Sequence, residues 1–428
     1  MFGASVTAVG RADTRQVLAA KVRLLVDGIS IDESFYVPAQ GYKGRVEAIY
    51  GHHIGAPPTQ VIPQELILHR PGGLGPTEAH VVQVRFNADS PHLLSWHDGS
   101  PVLIVDGTPW PVELIPAPNF YDLEVEPGTN VRSITQLLGT SLLGVVPSNY
   151  CALFSTKEEC SFCEIIPHYS LAREFKRSIK PDDIQIKAIN QALATDPLEY
   201  MVFTTGNYDL PNMLTVDHYV NVRSKLKVPD TVRRSYACLM PPDDVNALHR
   251  LKEAGFTSVI LDIEIWNPDH YEAMVPGKAH WLGREGFLRM LDASIGVFGS
   301  GEVYSNLVYG IQSLCGVPDG SRFNGRDETD MCLTATDGLL ARGVVPLFTV
   351  YHTAGHSKIG KVELDPAELT RFAEEYGSRV FHSKVIRDDR NAAIFGLGSI
   401  ANHFYNDAYY MAKTSNAASA AKTTEAGR

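Results

Sequence analysis

The 428-residue sequence predicts an α/β fold: βα units wrapping into a partial or complete TIM-like barrel, preceded by a β-rich or mixed module. Three observations predict it. From about Ser141 onward, short apolar runs alternate with stretches of helical spacing, the rhythm of parallel strands joined by crossover helices. Before residue 135 the apolar runs are brief and broken by Gly and Pro, as in Ala56-Pro-Pro58 and the 71–76 stretch PGGLGP. The end from Lys413, KTSNAASAAKTTEAGR, is small and polar and reads as a disordered tail. The boundaries are therefore a module at 1–135, a βα domain at 136–412 and a tail at 413–428. An open parallel sheet fits the same rhythm as a barrel.

In the first region, β-like runs fall at Val22–Val26, Val81–Phe86 and Val102–Val105. His52, His53, Glu65 and His69 are potential ligands there, but their scatter reads as surface. In the second region, strands are expected at Leu142–Val146, Tyr200–Thr204, Arg234–Leu239, Ser258–Asp262, Val303–Tyr309 and Val344–Val350, with a weaker one at Ala392–Phe395. Helical spacing marks Asp243–Ala254, where Val245, Leu248 and Leu251 share a face and Gly255 supplies the stop. A second helix, Pro366–Tyr376, follows Asp365 as its cap.

Composition narrows the function. With 44% hydrophobic and 20% charged residues, the chain is ordinary for a globular protein. No apolar run nears the ~20 residues a bilayer needs, so no membrane association is expected. The first residues lack a basic stretch followed by an apolar one, which argues against a secretory signal and for a cytoplasmic protein. A net charge of −11 gives no general electrostatic reason to hold a polyanion, so no nucleic-acid partner is expected.

The six cysteines carry the chemistry. Cys151, Cys160 and Cys163 lie within thirteen consecutive positions, spaced C-x8-C-x2-C, in the loop after the first strand of the βα pattern. Loops that follow barrel strands form the active-site face. Three thiolates suit an iron–sulfur cluster or zinc. Structural zinc normally takes four protein ligands, and His168 is the nearest imidazole. A cubane held by three cysteines leaves one iron open to a substrate-like ligand. A redox pair at Cys160/Cys163 would leave Cys151 unexplained. A zinc-stabilised binding or scaffold protein is the alternative reading. Cys315 and Cys332 read as buried small apolar residues.

The cysteine motif resembles the signature of the radical S-adenosylmethionine (SAM) superfamily, usually C-x3-C-x2-C, with an enlarged first gap. Phe162 stands where that superfamily places a ring against the SAM adenine. Later segments resemble the biotin synthase and lipoyl synthase-like branch. Thr205, Gly206 and Asn207 match the strand-end stretch that receives the SAM amino group. Ile263-Glu264-x-x-x-Pro268-x-x-Tyr271 is similar to the fourth strand, whose Glu contacts the SAM ribose. Gly310 matches a glycine of the fifth strand, which lines the adenine site. Val345–His356 resembles the late strand that ends near substrate, giving His352 and His356 as substrate-pocket residues, with Tyr351 and Lys358 suggesting a polar ligand. Arg284 or Arg289 is a candidate partner of the SAM carboxylate. Cys238 lies on a comparable strand to a second-cluster ligand, but Tyr304 stands where another would be expected.

The resemblance implies a [4Fe-4S] cluster on Cys151, Cys160 and Cys163 that chelates SAM. It implies an oxygen-sensitive enzyme that takes one electron from a flavodoxin- or ferredoxin-type donor. Reductive cleavage of SAM would give a 5′-deoxyadenosyl radical that abstracts hydrogen from an unidentified small-molecule or carrier-bound substrate.

Overall fold

The computed structural model of the chain describes residues 14–36, 41–44, 62–68, 80–148, 150–165, 180–314, 324–353 and 357–386, with positions 408, 409, 411 and 412. The weaker strand expected at Ala392–Phe395, His52, His53, His69, His168, Cys315, His356 and the tail lie outside the described residues.

Helix α1 (Thr14–Asp27) opens the described chain. Six strands follow: β1 (Ser30–Ile31), β2 (Glu65–Leu68), β3 (His80–Gln83), β4 (Leu93–His97), β5 (Ser100–Val105) and β6 (Thr108–Leu114). They form one sheet in the order β1-β4-β5-β6-β2-β3. The run Val22–Val26, expected as a strand, lies inside α1. Leu18, Val22 and Leu25 join the main core, while Val17, Ala20 and Leu24 join the core of the six-stranded sheet. A helix buried on two faces has a near-continuous apolar run, which period alone does not separate from a buried strand.

After the small hairpin β7 (Glu124–Glu126) and β8 (Thr129–Asn130), the second sheet is built from β9 (Thr135–Leu138), β10 (Leu142–Val145), β11 (Tyr200–Thr204), β12 (Arg234–Cys238), β13 (Ser258–Ile260), β14 (Val303–Tyr309) and β15 (Val345–Val350). Strands β10 to β15 are parallel and pair in sequence order. Strand β9 pairs antiparallel on the outer edge of β10. The crossovers are α2 (Ala152–Thr156) and α3 (Asp182–Thr195), α4 (Met213–Arg223), α5 (Val245–Glu253), then α6 (Pro268–Met274), α7 (Pro276–Trp281) and α8 (Gly283–Phe298), and α9 (Gly325–Ala341), with α10 (Pro366–His382) after β15. This is a curled, partial barrel. All four β10 residues are buried, as a parallel strand covered on both faces requires.

The caps follow the sequence. Asp244 accepts the Asn246 amide at the start of α5, and Asp365 accepts the Ala367 amide before Pro366 at the start of α10. Aromatic packing fills the sheet–helix layer: Phe203 meets Tyr219 and Phe256 edge-on at 5.4 and 5.2 Å. Two buried basic residues tie the first sheet to the second. Lys43 pairs with Glu65 and donates to the carbonyls of Leu137 and Gly139 at the β9–β10 turn, 3.1 and 2.9 Å away. Arg85 donates to Leu25 O and, at 3.0 Å, to Val350 O. Burial pushes its guanidinium down to about 9. No helix among the described residues is long and apolar enough to cross a membrane.

Candidate active site at the ends of the parallel strands

The C-terminal edge of the parallel sheet is polar where its body is apolar. Cys238 Sγ lies 3.4 Å from Asp262 Oδ2, Asp262 Oδ1 accepts the Asn306 amide at 2.9 Å, and Asn306 Oδ1 accepts the Thr349 hydroxyl at 3.1 Å. These contacts cross the ends of β12 to β15 and keep the polar groups satisfied in a buried setting.

The cysteine loop leaves β10 beside this edge. Cys151 caps α2, and Lys157 at φ 61° ends that short helix and turns the chain toward Cys160. The Cys163 amide then closes a turn on Cys160 O at 2.9 Å. Gly206 lets the loop seat: a Cβ there would lie 2.4 Å from Tyr150 O and 2.5 Å from Cys151 Cβ. The neighbouring Asn207 carbonyl accepts the Ala152 amide at 2.7 Å, and Thr205 Oγ1 donates to Ser148 O. Matching positions 205–207 thus form the seat of the first cysteine. On its other side the loop is strapped to α6 and α7: the Ser161 amide donates to Met274 O at 2.8 Å and the Gly277 amide to Glu158 O at 3.0 Å. A side chain at Gly277 would collide with Leu153 and Glu158 O.

Burial pushes Cys151 above its ordinary value, Cys160 up to about 12 and Cys163 well up. Each thiol would therefore release a proton on becoming a metal ligand. Among the described residues, no group of three or more His, Cys, Asp or Glu side chains converges as ligands of a single metal ion would. Phe162, between the last two cysteines, is half-buried against the main core.

Facing the loop is a buried ion pair absent from the sequence reading. Lys278 Nζ lies 2.9 Å from Glu264 Oε1 and also donates to Asp262 O. Burial pushes the Glu264 carboxyl up to about 7, against the pull of Lys278. Burial alone would lower the Lys278 ammonium, but Glu264, Cys160 and Asp262 outweigh it and hold the charge. Glu264 takes a left-handed φ of 66° just beyond β13, and its carbonyl accepts Gln312 Nε2 at 2.7 Å. The Tyr271 hydroxyl is buried near Lys278 and Cys160 and has no hydrogen-bond partner among the described residues. Three soft sulfur donors, a buried cation beside a carboxylate and an unsatisfied hydroxyl are a donor set that fits an iron–sulfur cluster with a polar ligand.

The remaining expected residues lie elsewhere. Gly310 has φ 110° and donates its amide to the buried Glu328 at 2.6 Å; a Cβ would meet Leu364 and Tyr351. Arg284 stacks over Trp266 at 4.8 Å and donates to Trp266 O, so the cation beside Glu264 is Lys278. His352 is exposed after β15, on the rim of a cleft of about 640 Å³ between Arg85 and the β15 end; none of the three cysteines lines it. Tyr304 packs edge-on to Tyr236 at 5.5 Å, and Cys332 is fully buried, as a small apolar residue would be.

No family model matches the chain. A 115-residue stretch is 27% identical to the bacteriochlorophyllide c C-7(1)-hydroxylase of Chlorobaculum limnaeum, covering 27% of this chain and 25% of that protein. Among solved structures, the chain is similar to the FeFe-hydrogenase maturase HydG (TM-score 0.39, 19% identity, 59% of this chain and 49% of that one). It is also similar to methylornithine synthase PylB (TM-score 0.39, 15% identity, 64% and 73%). A third is coproporphyrinogen III oxidase HemN of Escherichia coli (TM-score 0.32, 12% identity, 56% and 50%). The likeness thus spans a quarter of the curated relative and about half of HydG. Of these proteins, coproporphyrinogen III oxidase HemN is a radical SAM enzyme.

Proposed function

We propose that the chain is a radical SAM enzyme whose Cys151, Cys160 and Cys163 hold a [4Fe-4S] cluster. The observation that carries the reading is that Cys151, Cys160 and Cys163 share one loop at the C-terminal edge of the parallel strands, the same edge that carries the buried Lys278–Glu264 pair. A cluster with SAM bound would supply reductive C–S cleavage, using one electron from a flavodoxin- or ferredoxin-type donor. That chemistry would supply the means to remove a hydrogen atom from a substrate C–H bond.

The chain's own residues would bind, orient and shield. Lys278 offers a desolvated cation to a carboxylate, and Glu264 an acceptor to hydroxyl groups. Phe162 offers a ring to a heterocycle, the 205–207 turn a backbone cradle, and Gly310 backbone contact. The sequence resemblance alone would assign His352 and His356 to the substrate. The loop straps on α6 and α7 hold Cys151 buried and Cys160 and Cys163 half-buried.

Anaerobic reconstitution with iron and sulfide, followed by electron paramagnetic resonance with and without SAM, tests this. A brown protein with about four irons per chain, a count set by the cluster type, and a spectrum that changes on adding SAM is expected. A colourless protein with stoichiometric zinc, or a cluster that survives Cys151→Ala, Cys160→Ala and Cys163→Ala together, overturns it.

A further inference from the structure

Glu164 follows the last cysteine directly and is buried, 8% exposed. Its partners come from the far end of the sheet. Thr353 Oγ1 and the Ser357 amide both donate to Glu164 Oε1, each at 2.7 Å. The rest of the two loops follows suit. The Lys358 amide donates to Ser161 O at 2.9 Å, Ser357 Oγ donates to the same carbonyl at 3.3 Å, and Lys358 Nζ pairs with Glu159 at 2.7 Å. Tyr351 braces the donor loop from behind, its hydroxyl within 2.7 Å of Ser357 Oγ and donating to Gly360 O at 2.6 Å.

The loop after β10 therefore grips the loop after β15, although those strands stand five places apart in the sheet. Only a curled sheet brings them together. Strand pairing does not join them, so side-chain and loop hydrogen bonds do. A buried carboxylate that accepts two short bonds on one oxygen is the strongest member of this set, because bonds to a charged acceptor are roughly twice as strong as neutral ones.

We propose that Glu164 is a positioning residue: through Thr353 and Ser357 it fixes the Cys160–Cys163 turn to the substrate-side loop, setting thiol placement at the candidate cluster. The role of that turn as a cluster site rests on the function proposed above; the clasp itself does not. The two are separable by experiment. In the full-length apo-protein, alkylation of each cysteine by iodoacetamide is followed by mass spectrometry, with Cys332 as buried reference. Glu164→Ala is expected to speed labelling of Cys160 and Cys163 by about tenfold, as local opening does, while Cys332 keeps its wild-type rate. Glu164→Gln retains an acceptor oxygen for both donors and is expected to restore most of the protection. Thr353→Val removes one donor and should fall between. In reconstituted protein, Glu164→Ala is expected to bind iron but lose the spectral change on adding SAM, and Glu164→Gln to recover it. Unchanged labelling of Cys160 and Cys163 in Glu164→Ala overturns the proposal, as does equal acceleration at Cys332, which would mean global loosening. If the wild type takes up no cluster while the labelling pattern holds, the enzyme reading fails and the positioning role stands.

Discussion

Lys278 Nζ and Glu264 Oε1 meet at 2.9 Å inside the ring of strand ends, with Asp262 close enough to bias both. Removing one partner of such a pair leaves the other buried group without its partner, which generally costs about 3–5 kcal/mol. Lys278→Met is expected to destabilise the fold by that order in urea denaturation. The double variant Lys278→Met/Glu264→Gln should recover a substantial part, a coupling that a double-mutant cycle reads directly.

A second buried pair governs the junction of the sheets. Lys43 joins Glu65 to the carbonyls of Leu137 and Gly139, and Glu65 accepts the Gly139 amide at 3.1 Å. Lys43→Met is expected to lose about 3 kcal/mol or more, since the buried Glu65 loses its partner. Hydrogen exchange should accelerate at β9 and its turn before it does at β12 or β14.

Gly206 is the tightest steric constraint on the cysteine loop. Gly206→Ala places a methyl group where Tyr150 O and Cys151 Cβ already sit. Overpacking of this kind costs about 1–3 kcal/mol. Thermal melts are expected to show that modest loss, while iron retained after reconstitution falls well below wild type because the strain is directed at Cys151.

Lys180 supplies a pH dependence. Its Nζ donates to Val146 O at 2.8 Å, and burial pushes it down to about 8 from an ordinary 10.5. A lysine with a lowered folded value binds fewer protons folded than unfolded between those limits, so its contribution to stability rises with pH there. Below about 8 both states are protonated and the full desolvation penalty is present. The stability of wild type relative to Lys180→Met is therefore expected to climb between pH 8 and 10 by on the order of 1 kcal/mol per pH unit, and to stay flat from pH 6 to 7.5. Chemical denaturation across that range reads it.

Much of the βα domain was legible because its strands are short apolar runs bounded by Gly, Pro and charged residues. Val303–Tyr309 matches the structure at both ends, and the cap at Asp365 marked the start of α10 correctly. The end of α10 lies six residues past Tyr376, because Tyr376 and Val380 continue its buried face. Helix α1 was misread because it faces two cores at once, leaving only a narrow exposed line at Arg15, Gln16 and Arg23 to reveal its period. At the candidate site, residues adjacent to a motif were visible and those arriving from elsewhere were not. Lys278 offered only the faint signal of a lone cation between Gly277 and the apolar end of α7. Glu164 stood beside Cys163 in plain view, yet its partner Thr353 is 189 positions away, a proximity that only the curl of the sheet creates.

Strand β9 takes the hydrogen-bonding edge of β10 that a closed barrel would need for β15. Among the described residues, that occupancy leaves a lengthwise seam in the wall. Prising the seam apart breaks no rung of the sheet; it is resisted by side chains and loops alone. Widening such a split cylinder would cost loop and side-chain contacts and leave every strand pairing intact.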